Sequence, residues 1–192
     1  MVYQLLIELD GAAPTIWRRI LIDASTNMRN VHHTIQLTMG WENRHLYYFD
    51  DGEDKITQID FLEEEDFMED EDVILSSIMR KEGDRIIYVY DFGDDWTHRI
   101  VLEKIHDAAS LNVSIPHCLG GARACPPEDV GGLPGYLEFI KIISNPKLPE
   151  YEEKIDWYGG EYDPEDFELE FTNEDLEDID NYIDSLDEDF LY

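Results

Sequence analysis

Five residues in the middle of the chain carry side chains that hold metal ions or move protons: His98, Cys118, Cys125, Glu128 and Asp129, with His117 beside them. Thiolate, imidazole and carboxylate are the ligand types of zinc. Two cysteines supply half of a four-ligand structural site, and Cys-x6-Cys is not a zinc-knuckle spacing. A catalytic zinc needs three protein ligands and an open position. His98, Cys118 and Cys125 complete such a set if the fold brings them together, and Glu128 or Asp129 would then be the general base of a metal-dependent hydrolase. Plainer roles fit the same residues. Pro126-Pro127 and Gly131-Gly132 stiffen a loop, Glu128 and Asp129 cap the helix that follows, and the cysteines pack as small apolar groups. A disulfide between Cys118 and Cys125 fits the spacing but not a reducing compartment. A nucleophilic thiol would need a base within reach, His98 or His117.

A second group of candidates lies in Asp91-Phe92-Gly93-Asp94-Asp95-Trp96. Asp-Phe-Gly is also the metal-binding triplet of protein kinases, but the glycine-rich loop with its strand lysine and the His-Arg-Asp loop are missing. The better reading is a hairpin turn in which Gly93 supplies an unusual φ and the aspartates bond to backbone. Asp91, Asp94, Asp95 and Trp96 then face the loop that carries Glu128. Arg18 and Arg19 point to opposite sides of a strand. An inward Arg18 must be paired, either with Asp91, Asp94 or Asp95 or with a captured anion. Trp17, Trp41 and Trp96 could stack a ligand, although aromatic residues in hairpin strands more often pack the core. His32-His33 lies on a helix, where adjacent side chains diverge, so at most one joins a site and a surface or partly buried structural role is expected.

These residues need elements to position them. Residues 2–10 and 16–22 read as a hairpin around Gly11-Ala12-Ala13-Pro14. A helix follows, with Met28, Val31, Ile35 and Met39 on one face, a cap among Ser25, Thr26 and Asn27, and Gly40 at its end. Residues 45–49 form a short aromatic strand, 56–61 a further strand, and 73–79 a short helix. Residues 85–91 and 96–105 form the second hairpin. Residues 112–135 read as one long loop. Helices are expected over 135–143 and 151–158, a short strand over 167–171, and an amphipathic helix over 173–186 capped by Asn173. Hairpins with helices between them, and no regular βαβ alternation, predict an α+β fold with a mainly antiparallel sheet in one domain. One domain is expected over residues 1–173, with an acidic insert at about 50–72, followed by an acidic C-terminal helix or tail over residues 174–192.

The formal net charge is −32. Residues 50–72 hold 13 acids and one base, and residues 149–192 hold 19 acids and one base, while the rest of the chain is close to neutral. Such a field repels nucleic acid and anionic membranes. It favours cations or a basic protein partner, and it could mimic DNA on such a partner. A small-molecule ligand is the other expected partner. No apolar run is long enough to span a bilayer. The N-terminus lacks a basic n-region, so the expected compartment is cytoplasmic, with reduced thiols.

Several segments, in order, match a known pattern: Pro14-Thr15-Ile16-Trp17-Arg18-Arg19; Met39-Gly40-Trp41 leading to His45-Leu46; Tyr88-Val89-Tyr90-Asp91-Phe92-Gly93-Asp94-Asp95-Trp96-Thr97-His98; the run from Cys118 through Cys125-Pro126-Pro127-Glu128-Asp129 to Gly131-Gly132; and Gly135-Tyr136. In this the chain resembles the Ri-plasmid ORF-three-like family, whose members include insertion-element passenger proteins of a TnpR type. The resemblance runs from about Tyr3 to Asn173. It implies a prokaryotic α+β accessory or binding protein and carries no established activity with it. The insert at residues 50–72 departs from the family pattern.

Overall fold

The computed structural model describes residues 1–58 and 67–189. Alternating apolar positions in the first two segments give β1 (Val2–Leu9) and β2 (Trp17–Asp23), an antiparallel hairpin in which Leu5 faces Ile20. The chain then enters helix α1 (Met28–Met39), where the Asn27 side chain accepts the Asn30 N–H and Gly40 ends the helix at φ 97°. Next come β3 (Tyr47–Asp50), β4 (Lys55–Thr57), β5 (Phe67–Glu69), the single turn α2 (Leu75–Ile78), β6 (Arg85–Tyr90) and β7 (Trp96–His106). The chain continues through β8 (His117–Ala122), α3 (Gly132–Ile143), α4 (Tyr151–Tyr158), α5 (Leu169–Glu177) and α6 (Ile179–Asp189).

The described strands form one sheet in the order β5-β4-β3-β6-β7-β1-β2-β8. Every neighbouring pair is antiparallel except β4 with β5. This is the α+β, mainly antiparallel, single-domain architecture expected from the hairpin pattern. The core gathers Leu5, Ile7, Ile20, Tyr88, Ile100 and Leu102 of the sheet with Met28, Val31, Ile35 and Met39 of α1. Helix α1 is buried on its polar side too, because α5 and α6 lie against it.

Several local expectations change. The loop expected over 112–135 contains β8, paired to β2 at the sheet edge. Gly120 and Gly121 hide the strand pattern, yet Gly121 is required: a Cβ there would lie 2.7 Å from Arg18 Cδ and 2.8 Å from the Trp17 carbonyl oxygen. The strand expected over 167–171 is replaced by the start of α5, whose buried Thr172 and Leu176 are one helical turn apart. The helix expected over 173–186 is two helices that break at Asp178, and Asn173 lies inside α5. Rather than capping, the Asn173 amide accepts the Cys118 N–H at 2.8 Å and donates to the Cys118 carbonyl at 3.0 Å, which covers the open edge of β8. Leu176 and Ile179 are buried in the common core. Of the strand expected over 56–61, residues 59–61 lie outside the described residues.

Candidate metal centre

The loop after α1 is held by polar bonds that leave little freedom. Asn43, at φ 53°, donates its N–H to Gln36 Oε1 at 2.8 Å, while its Oδ1 meets His32 Nε2 at 2.7 Å. The Arg44 N–H donates to the Tyr90 hydroxyl at 2.9 Å. These contacts deliver His45 edge-on to the Tyr90 ring, with centroids 5.8 Å apart. Tyr90 is the last residue of β6, so the next residue, Asp91, emerges at the same place. Asp91 donates its N–H to the Leu46 carbonyl at 2.9 Å, and its Oδ1 accepts the Gly93 N–H at 2.8 Å. Its other oxygen, Oδ2, lies 3.6 Å from His45 Nε2.

The loop before α3 closes the site from the other side. Asp94 Oδ2 accepts the Gly131 N–H at 3.0 Å, and a Cβ on Gly132 would lie 2.5 Å from the Asp94 carbonyl oxygen. Only glycine permits that approach, which docks the loop on the β6–β7 turn. Glu128 Oε1 accepts the Glu42 N–H at 2.8 Å and the Tyr90 hydroxyl at 2.9 Å. Glu128 Oε2 lies 3.7 Å from His45 Nε2, and Asp129 Oδ1 lies 3.3 Å from it. The Glu128 side chain is 7% exposed, that of Asp91 9% and that of Asp129 64%. Both His45 Nε2 and Glu128 Oε2 are buried without a hydrogen-bond partner.

Separations of 3.3 to 3.7 Å exceed a hydrogen bond. They suit atoms sharing an ion: nitrogen and oxygen ligands about 2.1 Å from a tetrahedral zinc stand about 3.4 Å apart. The ligand atoms of His45, Asp91 and Asp129 all lie within 4.8 Å of one another, the one group of its kind among the described residues. Asn43, Asp91 and Asp129 have φ of 53°, 59° and 56°. Left-handed non-glycine residues of this sort collect at ligand clamps. Burial pushes the Glu128 carboxyl above its ordinary range, against the opposing pull of the Glu42 N–H, the Tyr90 hydroxyl and His45. Burial, reinforced by Glu128, also raises the Tyr90 phenol, which stays a neutral donor.

The structure thus joins the two segments expected to meet. Asp91, Glu128 and Asp129 converge, and Asp94 ties the segments together. His98, Cys118 and Cys125 do not form a ligand group. β7 and β8 are separated by β1 and β2, and His98 lies level with Leu9 while Cys118 lies level with Leu5, so the three strand spacings of about 4.8 Å alone keep the two residues at least about 14 Å apart. His98 is fully buried beside Trp41 and Tyr88, and burial lowers its imidazole to about 4. Both cysteines are free thiols, not a disulfide, and burial raises both, the reverse of an activated nucleophile.

Arg18 is inward as expected, yet it meets no aspartate. It donates to the carbonyls of Thr38 at 2.6 Å, Trp17 at 2.9 Å, Ala122 at 3.1 Å and Met39 at 3.4 Å, with Phe167 stacked 4.4 Å away. Thr38 and Met39 end α1, so Arg18 neutralises the negative end of that helix. Arg19 pairs with Glu103 at 2.6 Å. In the β6–β7 turn the left-handed residues are Asp91 and Asp95, not Gly93. Asp95 closes the turn through its N–H to the Asp91 carbonyl at 2.7 Å. Glu128 and Asp129 do not cap α3, whose N-cap is Gly131. Trp41 and Trp96 are core, whereas Trp17 is half-buried under Arg19. His32 and His33 are both buried, with His32 stacked on Tyr47 at 3.5 Å.

His45 entered the sequence reading only as part of the family pattern, Met39-Gly40-Trp41 leading to His45-Leu46, and not as a ligand.

A family model described as plasmid pRiA4b ORF-3-like protein matches residues 1–171. The chain is 32% identical over 169 residues to uncharacterized protein y4hQ of Sinorhizobium fredii, covering 84% of each. It is also similar to the crystal structure of the protein of unknown function MM3350 from Methanosarcina mazei Go1. That match has a TM-score of 0.77 and 33% identity, over 88% of this chain and 96% of the other. Neither name assigns an activity. Among the described residues no helix is long and apolar enough to cross a membrane.

Proposed function

The chain belongs to the plasmid pRiA4b ORF-3-like family, and we propose that it is a divalent-cation-binding protein whose ligands are His45 Nε2, Asp91 Oδ2 and Asp129 Oδ1. The observation that carries this reading is a pair of buried atoms, His45 Nε2 and Glu128 Oε2, that face each other at 3.7 Å with no hydrogen-bond partner. Two more carboxylate oxygens lie around the same nitrogen. A proton on Nε2 could serve one of the three carboxylates, whereas an ion between them serves all. Buried carboxylates without compensation are costly. Imidazole among the ligands favours zinc over magnesium or calcium, and the 3.6 and 3.3 Å separations of the Asp91 and Asp129 oxygens from His45 Nε2 fit its tetrahedral geometry.

Because the whole chain is so acidic, loose cation uptake must be separated from the site. Isothermal titration of untagged protein with zinc in excess magnesium should give one tight zinc per chain, and His45→Ala should lose it. Uptake that never saturates, or that survives His45→Ala unchanged, would falsify the reading.

A further inference from the structure

We infer that the ion site is of the catalytic type, with an open coordination position that faces a cleft and a water held there by Glu128, and that it hydrolyses neutral acyl compounds such as esters. This rests on the cation-binding reading above.

Three observations point this way. First, three residues from three segments supply ligand atoms within sharing distance, one short of a closed four-ligand site. Second, the ligands are unequally exposed. Asp91 is almost closed off while Asp129 stands largely in solvent, so the free side of the ion lies at Asp129. That side opens on a cleft of about 270 Å³ lined by Glu42, Arg44, Pro127, Trp157 and Tyr158, together with Glu128 and Asp129 themselves. Third, Glu128 is divided between two tasks. Its Oε1 is fixed by the Glu42 N–H and the Tyr90 hydroxyl, which orients the carboxylate. Its Oε2 is left without a partner on the His45 side. It does not belong to the three-residue ligand group. A carboxylate held this way beside an open metal position can accept a proton from a water on the ion.

The step balances without any further reactant. The water oxygen bonds to the carbonyl carbon while its proton passes to Glu128 Oε2. The carbon–oxygen bond to the leaving group then breaks, and Glu128 returns the proton to the departing oxygen. The charge of the cleft selects the substrate class. Glu42, Glu128 and Asp129 face one base, Arg44, and that base is already paired with Glu42. An anionic phosphoester is repelled there, whereas a neutral ester packs its apolar part on Trp157 and Tyr158.

Cobalt(II) in place of zinc gives a visible spectrum that separates the two levels. No spectrum that depends on His45 would overturn cation binding itself. A cobalt spectrum that does not shift with acetohydroxamate would mean a closed site and would overturn this inference alone. The expected result is a spectrum that shifts with acetohydroxamate, together with zinc-dependent cleavage of 4-nitrophenyl acetate but not of bis(4-nitrophenyl) phosphate. Glu128→Gln should keep the cobalt spectrum and lose about a hundredfold or more in ester turnover. Ester turnover that is absent, or unchanged in Glu128→Gln, or cleavage of the phosphodiester instead, would overturn the inference.

Discussion

Two polar regions share this fold and are built in opposite ways. Around Arg18, a buried guanidinium meets four main-chain carbonyls and an aromatic face, and it fastens the end of α1 to β2 and β8. Around His45, an imidazole and three carboxylates approach one another without a hydrogen bond between the ring and any of them, on backbone that turns left-handed at Asp91 and Asp129. A polar residue kept for stability is satisfied by the chain itself, because an unsatisfied buried group costs about 1–3 kcal/mol. At the His45 site the two unpartnered atoms are a ring nitrogen and a carboxylate oxygen that face each other, an arrangement that an ion between them would satisfy.

The contrast can be broken at either end. The largest effect is expected at the site: Asp91→Asn keeps the oxygen that accepts the Gly93 N–H but removes the charge facing His45. Zinc affinity should fall about a hundredfold or more, which is beyond the loss usual for a supporting contact, with little change in melting temperature without zinc. Calorimetry reads both, and an equal loss of stability would make Asp91 structural instead. Arg18→Ala should behave in the reverse manner. It strands several carbonyls, destabilises by about 3 kcal/mol or more in urea melts, and leaves the zinc affinity of the folded fraction unchanged.

A third test concerns His98, which the sequence grouped with the metal ligands. Its imidazole is lowered to about 4 by burial, so the folded state binds fewer protons than the unfolded chain below pH 6.5. Stability should therefore fall by about 3 kcal/mol as pH drops from 6.5 towards 4. His98→Gln should flatten that slope, and an unchanged slope would assign it to other groups. The smallest effect belongs to Glu128. Its carboxyl is raised by burial, so the folded protein holds the proton to higher pH than the unfolded chain. Stability without zinc is lost as pH rises through the folded value. Glu128→Gln should then raise the zinc-free melting temperature at neutral pH and have no such effect in acid, where the wild-type carboxyl is already protonated.

The hairpins, α1 and the antiparallel sheet were legible because their apolar periods are clean: Met28, Val31, Ile35 and Met39 on α1, and Ile86, Tyr88 and Tyr90 on β6. β8 was not, because Gly120 and Gly121 serve close approach to Trp17 and Arg18 rather than a strand pattern. The acidic insert was legible from the sequence only as a run of charge, yet Arg29 grips Glu69, Asp70 and Glu71, and Asp70 is fully buried against the Tyr47 hydroxyl. Pairing of that kind depends on α1 lying beside β5, which no local pattern reveals. At the site, the meeting of the Asp91 turn with the Glu128 loop was legible from their unusual composition. The choice of imidazole was not, since His98 is closer in sequence to that turn than His45 is, and only the sheet order shows which ring reaches the carboxylates.

The most direct test is an anomalous difference map at the zinc edge from crystals of untagged protein grown with zinc and excess magnesium. The account predicts one strong peak bonded to His45 Nε2, Asp91 Oδ2 and Asp129 Oδ1, with Glu128 Oε2 turned towards its remaining position. A map whose peaks lie only among surface carboxylates, or beside Cys118 and Cys125, would contradict it.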